Sequence, residues 1–318
     1  MQPNAPDGIS VIMPCYNCAR FVAEAVDSVL AQTHPAVELI VVDDGSSDDS
    51  LRILEGYGAR IRLLRQPNRG PYVARNLALR HAEGRYLAFL DADDWWLPET
   101  LERLHRALRE AEADIAYCGW QNVGEGIRAA PHVPPERDRR ALLEHAVRSC
   151  PWPIHGVLVR SALVQGVGGF SERRRTAMDY DLWLRLLGLT DRVVRVPEVL
   201  AFYRWHDSGQ ISAVKWRQVL DAWEVQRRFV AEHPGLLDWI PARRLRALID
   251  GQLRDQAYRA LWRRDLVSAQ RLFRHALRVG ALGRGDIVHA LGALLPGPLY
   301  RALIGARDRG QPAPGGES

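Results

Sequence analysis

Val37-Glu38-Leu39-Ile40-Val41-Val42-Asp43-Asp44-Gly45-Ser46-Ser47 is the stretch that decides the fold class. Val37–Val42 is a continuous apolar-rich run, the pattern of a strand buried on both faces of a sheet. It stops at Asp43, and Ser47 can cap a helix running through Glu55. Outward from this point the same alternation repeats. Ile9–Met13 is a short β run, followed by a helical stripe over Phe21–Ala31. Ile61–Leu64 reads as a third strand, and Pro71 suits the first turn of a helix to about His81. Tyr86–Leu90 is a fourth strand ending at Asp91, and Pro98 starts another helix. This βαβα succession predicts an α/β fold with a doubly wound, mainly parallel sheet. In such sheets ligands gather beyond the carboxyl ends of the strands. Asp43–Ser47 and Asp91–Asp94 sit at two such ends, so the ligand site is expected there.

The remaining chain is less regular. Asp114–Trp120 is a fifth strand candidate, Gly124–Arg140 a long loop, and Ile154–Val159 strand-like. Gly168-Gly169-Phe170 is a turn, Tyr180–Leu187 a helix, and Val199–Trp205 a return to strand. After Ser212 the pattern is wholly helical: Trp216–Glu232, Pro241–Trp262, Asp265–Val279, then a weaker pair. The tail Gln311–Ser318 reads as disordered.

Composition is that of a folded soluble protein: 318 residues, 47% hydrophobic and 25% charged. The net charge of +5 is unevenly spread. Residues 1–214 carry 25 Arg against 28 acids, and residues 215–318 carry 18 Lys and Arg against 10. The basic C-terminal third can face acidic lipid headgroups, phosphorylated acceptors or water. The apolar stretch Ile287–Ile304 is interrupted by His289, Pro296, Pro298 and Arg301, which argues against a membrane span. No charged segment followed by an apolar run opens the chain, so a cytoplasmic location is expected, with the inner face of the cell membrane as the alternative.

Two short motifs carry possible metal chemistry. Cys15 and Cys18 form a CxxC, but no second CxxC or His pair completes a zinc site, and two small residues packing at a strand end is the alternative. Asp91-Ala92-Asp93 offers carboxylate oxygens, which Mg²⁺ and Mn²⁺ prefer, usually alongside substrate phosphates. The spacing alone is weak, since Asp179-Tyr180-Asp181 repeats it.

The context is more specific. Ser10–Asn17 (SVIMPCYN), Val41–Ser46 (VVDDGS), Asn68-Arg69-Gly70 with Ala74-Arg75-Asn76, and Leu90–Asp94 (LDADD) occur in order. Gly168-Gly169-Phe170, Asp179–Arg185 (DYDLWLR) and Tyr203–His206 (YRWH) follow. Together these resemble the inverting family 2 glycosyltransferases, which have the GT-A fold, over about residues 8–212. The resemblance implies a domain over 1–212, with a nucleotide-sugar-binding half at 8–112 and an acceptor-binding half at 113–212. A basic helical extension over 213–310 follows.

The resemblance also implies roles. Pro14 and Tyr16 would lie at the nucleotide, with Tyr16 against the base, where a flat ring can stack. Asp44 would accept a hydrogen bond from the base, while Asp43 orders the loop. Arg75 would contact the nucleotide; alone it would read as a solvated charge. Asp91 would lie near the ribose and Asp93 on the metal, Mg²⁺ or Mn²⁺, with Asp94 a supporting or helix-start acid. Asp179 would be the general base, with an N-cap as the alternative. The family often has Glu before this Asp; here it is Met178. His206 would be a metal ligand or a hydrogen-bonding surface residue. Asp181 reads as structural. Trp95, Trp96 and Trp183 are either an acceptor platform or core, and Arg173-Arg174-Arg175 either bind an acceptor phosphate or form a charged loop.

The implied reaction transfers a sugar, UDP-linked by family habit, from a nucleotide diphosphate sugar donor to a glycan or lipid-linked acceptor. The basic C-terminal helices suggest peripheral contact with an anionic membrane, with a solvated helical cap on the catalytic domain as the alternative, and no nucleic acid is expected as a partner. Two rivals remain: a sugar nucleotidyltransferase, for which Met13–Arg20 lacks a Gly-rich basic loop, and a non-catalytic nucleotide-sugar-binding module. A dehydrogenase is disfavoured because no G-x-G-x-x-G follows the first strand.

Overall fold

Every residue of β1 (Ile9–Cys15) is buried, and β1 is the central strand of the first half of the sheet. The computed structural model describes residues 7–124, 129–173, 176–205 and 215–309. The chain divides into two compact units, Met1–Gln210 and Ile211–Ser318.

In the first unit β1 leads through α1 (Val22–Leu30) to β2 (Val37–Asp43), then α2 (Ser50–Glu55), β3 (Arg62–Arg65), α3 (Pro71–Leu79) and β4 (Tyr86–Phe89). A two-residue strand β5 (Trp95–Trp96) precedes α4 (Thr100–Glu110), β6 (Ile115–Val123) and α5 (Arg139–Arg148). The unit then runs through β7 (Val157–Arg160), α6 (Ser161–Gly166), α7 (Met178–Leu187) and β8 (Val193–Arg204). The sheet order is β3-β2-β1-β4-β7-β6-β8-β5. The first four strands are parallel, as the sequence pattern predicts. The second half is mixed: β7 is antiparallel to both β4 and β6, β6 and β8 are parallel, and β5 is antiparallel to β8. Period and composition report burial, not direction, so this change was invisible in the sequence.

Other differences have local causes. Ser47 does not cap α2, because its amide and hydroxyl both meet Asn17 Oδ1 across the loop. The helix therefore starts at Ser50. β8 begins at Val193, well before Val199; Pro197 breaks the apolar run, and the β6–β8 register shifts between Cys118 and Trp120 opposite it. Ile154–Gly156 is a single 3₁₀ turn ahead of β7. Trp96 is core, while Trp95 stacks on Phe202 at 5.2 Å.

The second unit is helical: α8 (Lys215–Glu232), α9 (Ala242–Trp262), α10 (Leu266–Arg278), α11 (Ile287–Leu294) and α12 (Gly297–Arg309). Ile249, Leu253, Ala257 and Leu261 form its inner stripe on α9, facing Leu272, Phe273 and Ala276 of α10. No helix among the described residues is long and apolar enough to cross a membrane. Gln311–Ser318, the expected tail, lies outside the described residues, as do Arg174 and Arg175.

The Gly168–Phe170 turn is keyed to α3 through Asn76. Gly169 has φ +75°, and a Cβ there would lie 2.7 Å from Asn76 Oδ1. Gly169→Ala is therefore expected to cost about 1–3 kcal/mol, read as a lower urea midpoint. Gly166→Ala, whose methyl meets nothing within 4 Å, should leave the midpoint within about 0.5 kcal/mol.

Candidate active site

The carboxyl ends of β1, β2 and β4 share one rim, because the three strands run parallel in register. Pro14 is buried in β1 opposite Val42, and Tyr16, just beyond the strand, is 48% exposed. Asn17 bends the chain through a left-handed conformation, φ 52°. The next amides are held by side chains of the loop after β2: Asn17 N donates to Ser46 Oγ (3.1 Å), Cys18 N to Ser50 Oγ (2.8 Å) and Ala19 N to Asp48 Oδ2 (3.0 Å). An exposed ring on a pinned backbone can receive a flat partner with little ordering cost. The Cys15 and Cys18 thiols are free and adjacent, and their mutual hydrogen bond with burial raises Cys15. Among the described residues no third His, Cys, Asp or Glu gathers with them as a metal site would need.

Asp44 is buried with its carboxylate engaged. Oδ1 accepts from Gln66 Nε2 (2.7 Å) and the Arg69 amide (2.9 Å), and Oδ2 from the Gly70 amide (2.8 Å). Gly70 is the N-cap of α3, so this acid anchors that helix to the end of β2. Oδ2 retains room for one further donor. Asp43 orders its own loop, accepting from Ser46 N at 3.3 Å.

One turn into α3, Arg75 is buried rather than solvated. Its guanidinium pairs with Asp91 and lies over the rings of Tyr72 (5.3 Å) and Phe170 (5.5 Å). Burial alone would lower Arg75, but Asp91, Tyr72 and Asp179 outweigh it and raise it, so it stays charged. Its Nε lacks a hydrogen-bond partner.

Asp91, Asp93 and Asp94 can each turn one carboxylate oxygen within 4.8 Å of the others. Asp94 is the buried member. It accepts from the Arg204 amide at 2.8 Å and has Oδ2 3.3 Å from His155 Nδ1, without hydrogen-bond alignment. Burial pushes Asp94 up to about 7 against the pull of His155. Arg204 also donates from Nε to the Asp93 carbonyl (2.9 Å) and from Nη2 to Glu24 (2.6 Å). An all-oxygen set with one buried carboxylate oxygen lacking a donor fits a hard divalent cation rather than zinc.

Asp179 is the second residue of α7, inside the first turn, so it is not the N-cap; that position is Ala177, in a left-handed conformation at φ 57°. Burial raises Asp179; its hydrogen bond to the Tyr180 amide and the charge of Arg75 pull it down, and Asp91 pushes it up. Tyr72 bridges the two halves: its hydroxyl meets the Met178 backbone, and burial and the Asp179 charge raise it. Tyr203 feels Asp94, Asp91, Asp93 and Asp179 together, which after burial raise it. Acids distant in sequence thus share one locale. Asp181 faces away, bound to Arg185 at 2.8 Å, while Arg185 also donates to the carbonyls of Val167 and Gly169. His206 lies outside the described residues.

Sequence reasoning missed Tyr72, His155 and the role of Arg204, each ordinary in its local pattern. Cys150, whose thiol donates to the Trp152 carbonyl at 3.3 Å and lies within reach of the Asp179 charge, was missed too. Only proximity marks them.

This architecture is the GT-A fold. S. aureus TarS 1-349, solved in complex with UDP-GlcNAc, has a TM-score of 0.65 at 22% identity, over 96% of this chain and 92% of that one. The mannosyltransferase PcManGT of Pyrobaculum calidifontis, solved with GDP-Man and Mn²⁺, has a TM-score of 0.58 at 20% identity, over 96% and 85%. The sequence matches the family model Glycosyl transferase family 2 over residues 10–162. An uncharacterized glycosyltransferase of Rickettsia typhi is 34% identical over 209 residues, which are 63% of this chain but only 64% of that relative's length. The UDP-Glc:alpha-D-GlcNAc-diphosphoundecaprenol beta-1,3-glucosyltransferase WfgD of Escherichia coli is 31% identical over 230 residues, 71% of this chain and 87% of its own length. The chain belongs to glycosyltransferase family 2.

Asp44 gives the site its first test. Asp44→Asn leaves one acceptor atom where two served three donors, so a buried amide at the start of α3 loses its partner. The expected cost is about 1–3 kcal/mol in urea unfolding.

Proposed function

We propose that this chain transfers a sugar with inversion from a nucleotide diphosphate sugar, most readily a UDP sugar, to a hydroxyl of a glycan or lipid-linked acceptor. The observation carrying the reading is the convergence of Asp91, Asp93, Asp94 and Asp179 around Tyr203 and Arg75 at one sheet rim. WfgD, with its diphosphoundecaprenol-linked substrate, supports a lipid-linked acceptor. TarS and PcManGT, each holding a nucleotide sugar, support the donor class. Work on a membrane-borne acceptor would put the chain at the inner face of the cell membrane, in peripheral contact through its C-terminal helices.

In this reading Tyr16 stacks on the base, Asp44 accepts a hydrogen bond from it through the remaining position on Oδ2, and Asp91 lies near the ribose. Arg75 orients Asp91 through their ion pair. Asp93 and the neighbouring acids would hold Mg²⁺ or Mn²⁺, with His206 as a further ligand, and the cation would neutralise the diphosphate leaving group. Asp179 takes the proton from the acceptor hydroxyl. The freed oxygen forms its bond to the anomeric carbon as the bond to diphosphate breaks, through an oxocarbenium-like transition state. Met178, in place of a second acid, leaves Asp179 to be tuned by Arg75 and the Tyr180 amide.

Asp179→Asn should lower kcat by about 10²–10⁴-fold while nucleotide binding, measured calorimetrically, changes little. Unaltered turnover would remove Asp179 as the base. Asp93→Asn should raise the metal concentration needed for half-maximal donor hydrolysis, and a chelator should abolish wild-type hydrolysis. A protein that binds nucleotide diphosphates but neither hydrolyses nor transfers the sugar would instead be a binding module.

The pH dependence has a definite sign. The base works ionised, and burial raises Asp179, so activity falls as pH drops through a value above the ordinary carboxylate range of about 4. Arg75→Met removes the charge that pulls Asp179 down, so the acidic limb of kcat/KM should move to higher pH.

A further inference from the structure

The last two helices leave an apolar face that their own core does not use. On α11, Ala290 and Ala293 are buried, while Ile287, Val288, Leu291 and Leu294 are 50–61% exposed. On α12, Tyr300 and Ile304 point inward and Leu299 and Leu303 outward. The two helices pack closely, since a Cβ on the buried Gly292 would lie 3.2 Å from Leu303 Cδ2. The turn between the helices is equally well prepared. Gln270 Nε2 donates to the carbonyls of Ala293 (3.1 Å) and Leu295 (2.7 Å), and Arg274 donates to the same two (2.5 and 2.6 Å). The carbonyls that end α11 therefore have protein partners and need not keep water. Charge completes the pattern. Between residues 284 and 305 the exposed charged side chains are Arg284 and Arg301. The lone acid, Asp286, is buried under the Tyr258 hydroxyl and the Gly283 amide.

We propose that this α11–α12 ridge docks on an anionic lipid bilayer, its apolar side chains entering the headgroup boundary and its arginines meeting lipid phosphates. The inference deepens the lipid-linked acceptor reading of the previous section by naming the surface that would bring the enzyme to that acceptor. An eight-residue helix is too short to span, but a hairpin with one apolar face and a cationic rim suits the interface. A second copy of the chain would present the same cationic rim to itself, whereas anionic headgroups supply the opposite sign.

The test uses the full chain and vesicles of phosphatidylcholine with or without 30% phosphatidylglycerol. Co-sedimentation is expected with the anionic vesicles, with each of Arg284→Gln and Arg301→Gln lowering binding about 5-fold at low salt. Leu291→Glu combined with Leu299→Glu should lower it about 10-fold or more at any salt. Acceptor-independent donor hydrolysis should be unchanged in these variants, which shows that they fold. Absence of vesicle binding by the wild type, or equal binding by the double leucine variant, overturns the proposal. So does a wild-type dimer that binds no vesicles and becomes monomeric in that variant, because the occupant is then a second copy. Vesicle binding without donor hydrolysis would sink the transferase reading and leave the docking surface standing.

Discussion

A guanidinium buried between two aromatic rings and one carboxylate holds the candidate site together. Arg75 cannot shed its charge, so its place in the interior requires Asp91 beside it. Asp91 in turn is fixed beside Asp93 and Asp94, where like charges would otherwise spread the loop. Removing Asp91 leaves the buried Arg75 charge without this partner, which costs several kcal/mol. The same cation restrains the proton affinity of Asp179, so one ion pair orders the acids of both halves of the unit.

Helix α3 carries that ion pair and distributes it. Asp44 fixes its start to β2, Arg75 its middle to the end of β4, and Asn76 its far side to the loop leading into α7. The Asn76 amide donates to the Phe170 carbonyl and accepts from the Phe170 amide, a two-bond clamp across 94 residues of sequence. From the other side Arg185, aligned by Asp181, takes the carbonyls of Val167 and Gly169. The Gly-Gly-Phe turn is thus gripped by the helix of Arg75 and the helix of Asp179. A shift in either helix reaches the other through hydrogen bonds rather than through soft packing.

What the sequence discloses follows from which forces leave a local signature. Strands β1, β2 and β4 were legible because burial on two faces produces continuous apolar runs, and acids mark the ends of the second and fourth. Asp43's part in ordering its loop came with the resemblance, and the structural place of Asp181 from its position on the helix. The antiparallel insertion of β7 left no such mark, since strand direction is set by a connection, not by composition. The early start of β8 was hidden by Pro197. Taken alone, Arg75 read as a solvated charge, because burial of an arginine depends on an aspartate 16 residues away and a phenylalanine beyond the next four strands. Tyr72 and His155 carried no signal at all; their significance lies in neighbours supplied by other elements.

Both helices that begin at the site do so over an acid of their own. The amides leading into α3 point at Asp44, and the first turn of α7 holds Asp179. Helix starts of this kind elsewhere in protein chemistry cradle phosphates, since their free amides and dipoles attract anions. Here that attraction is satisfied internally, and Arg75, the buried arginine at the rim, is already matched to Asp91. On the proposed function, a diphosphate at this rim would face more carboxylates (Asp91, Asp93, Asp94 and Asp179) than arginines (Arg75 and Arg204), so its countercharge would have to be imported with it.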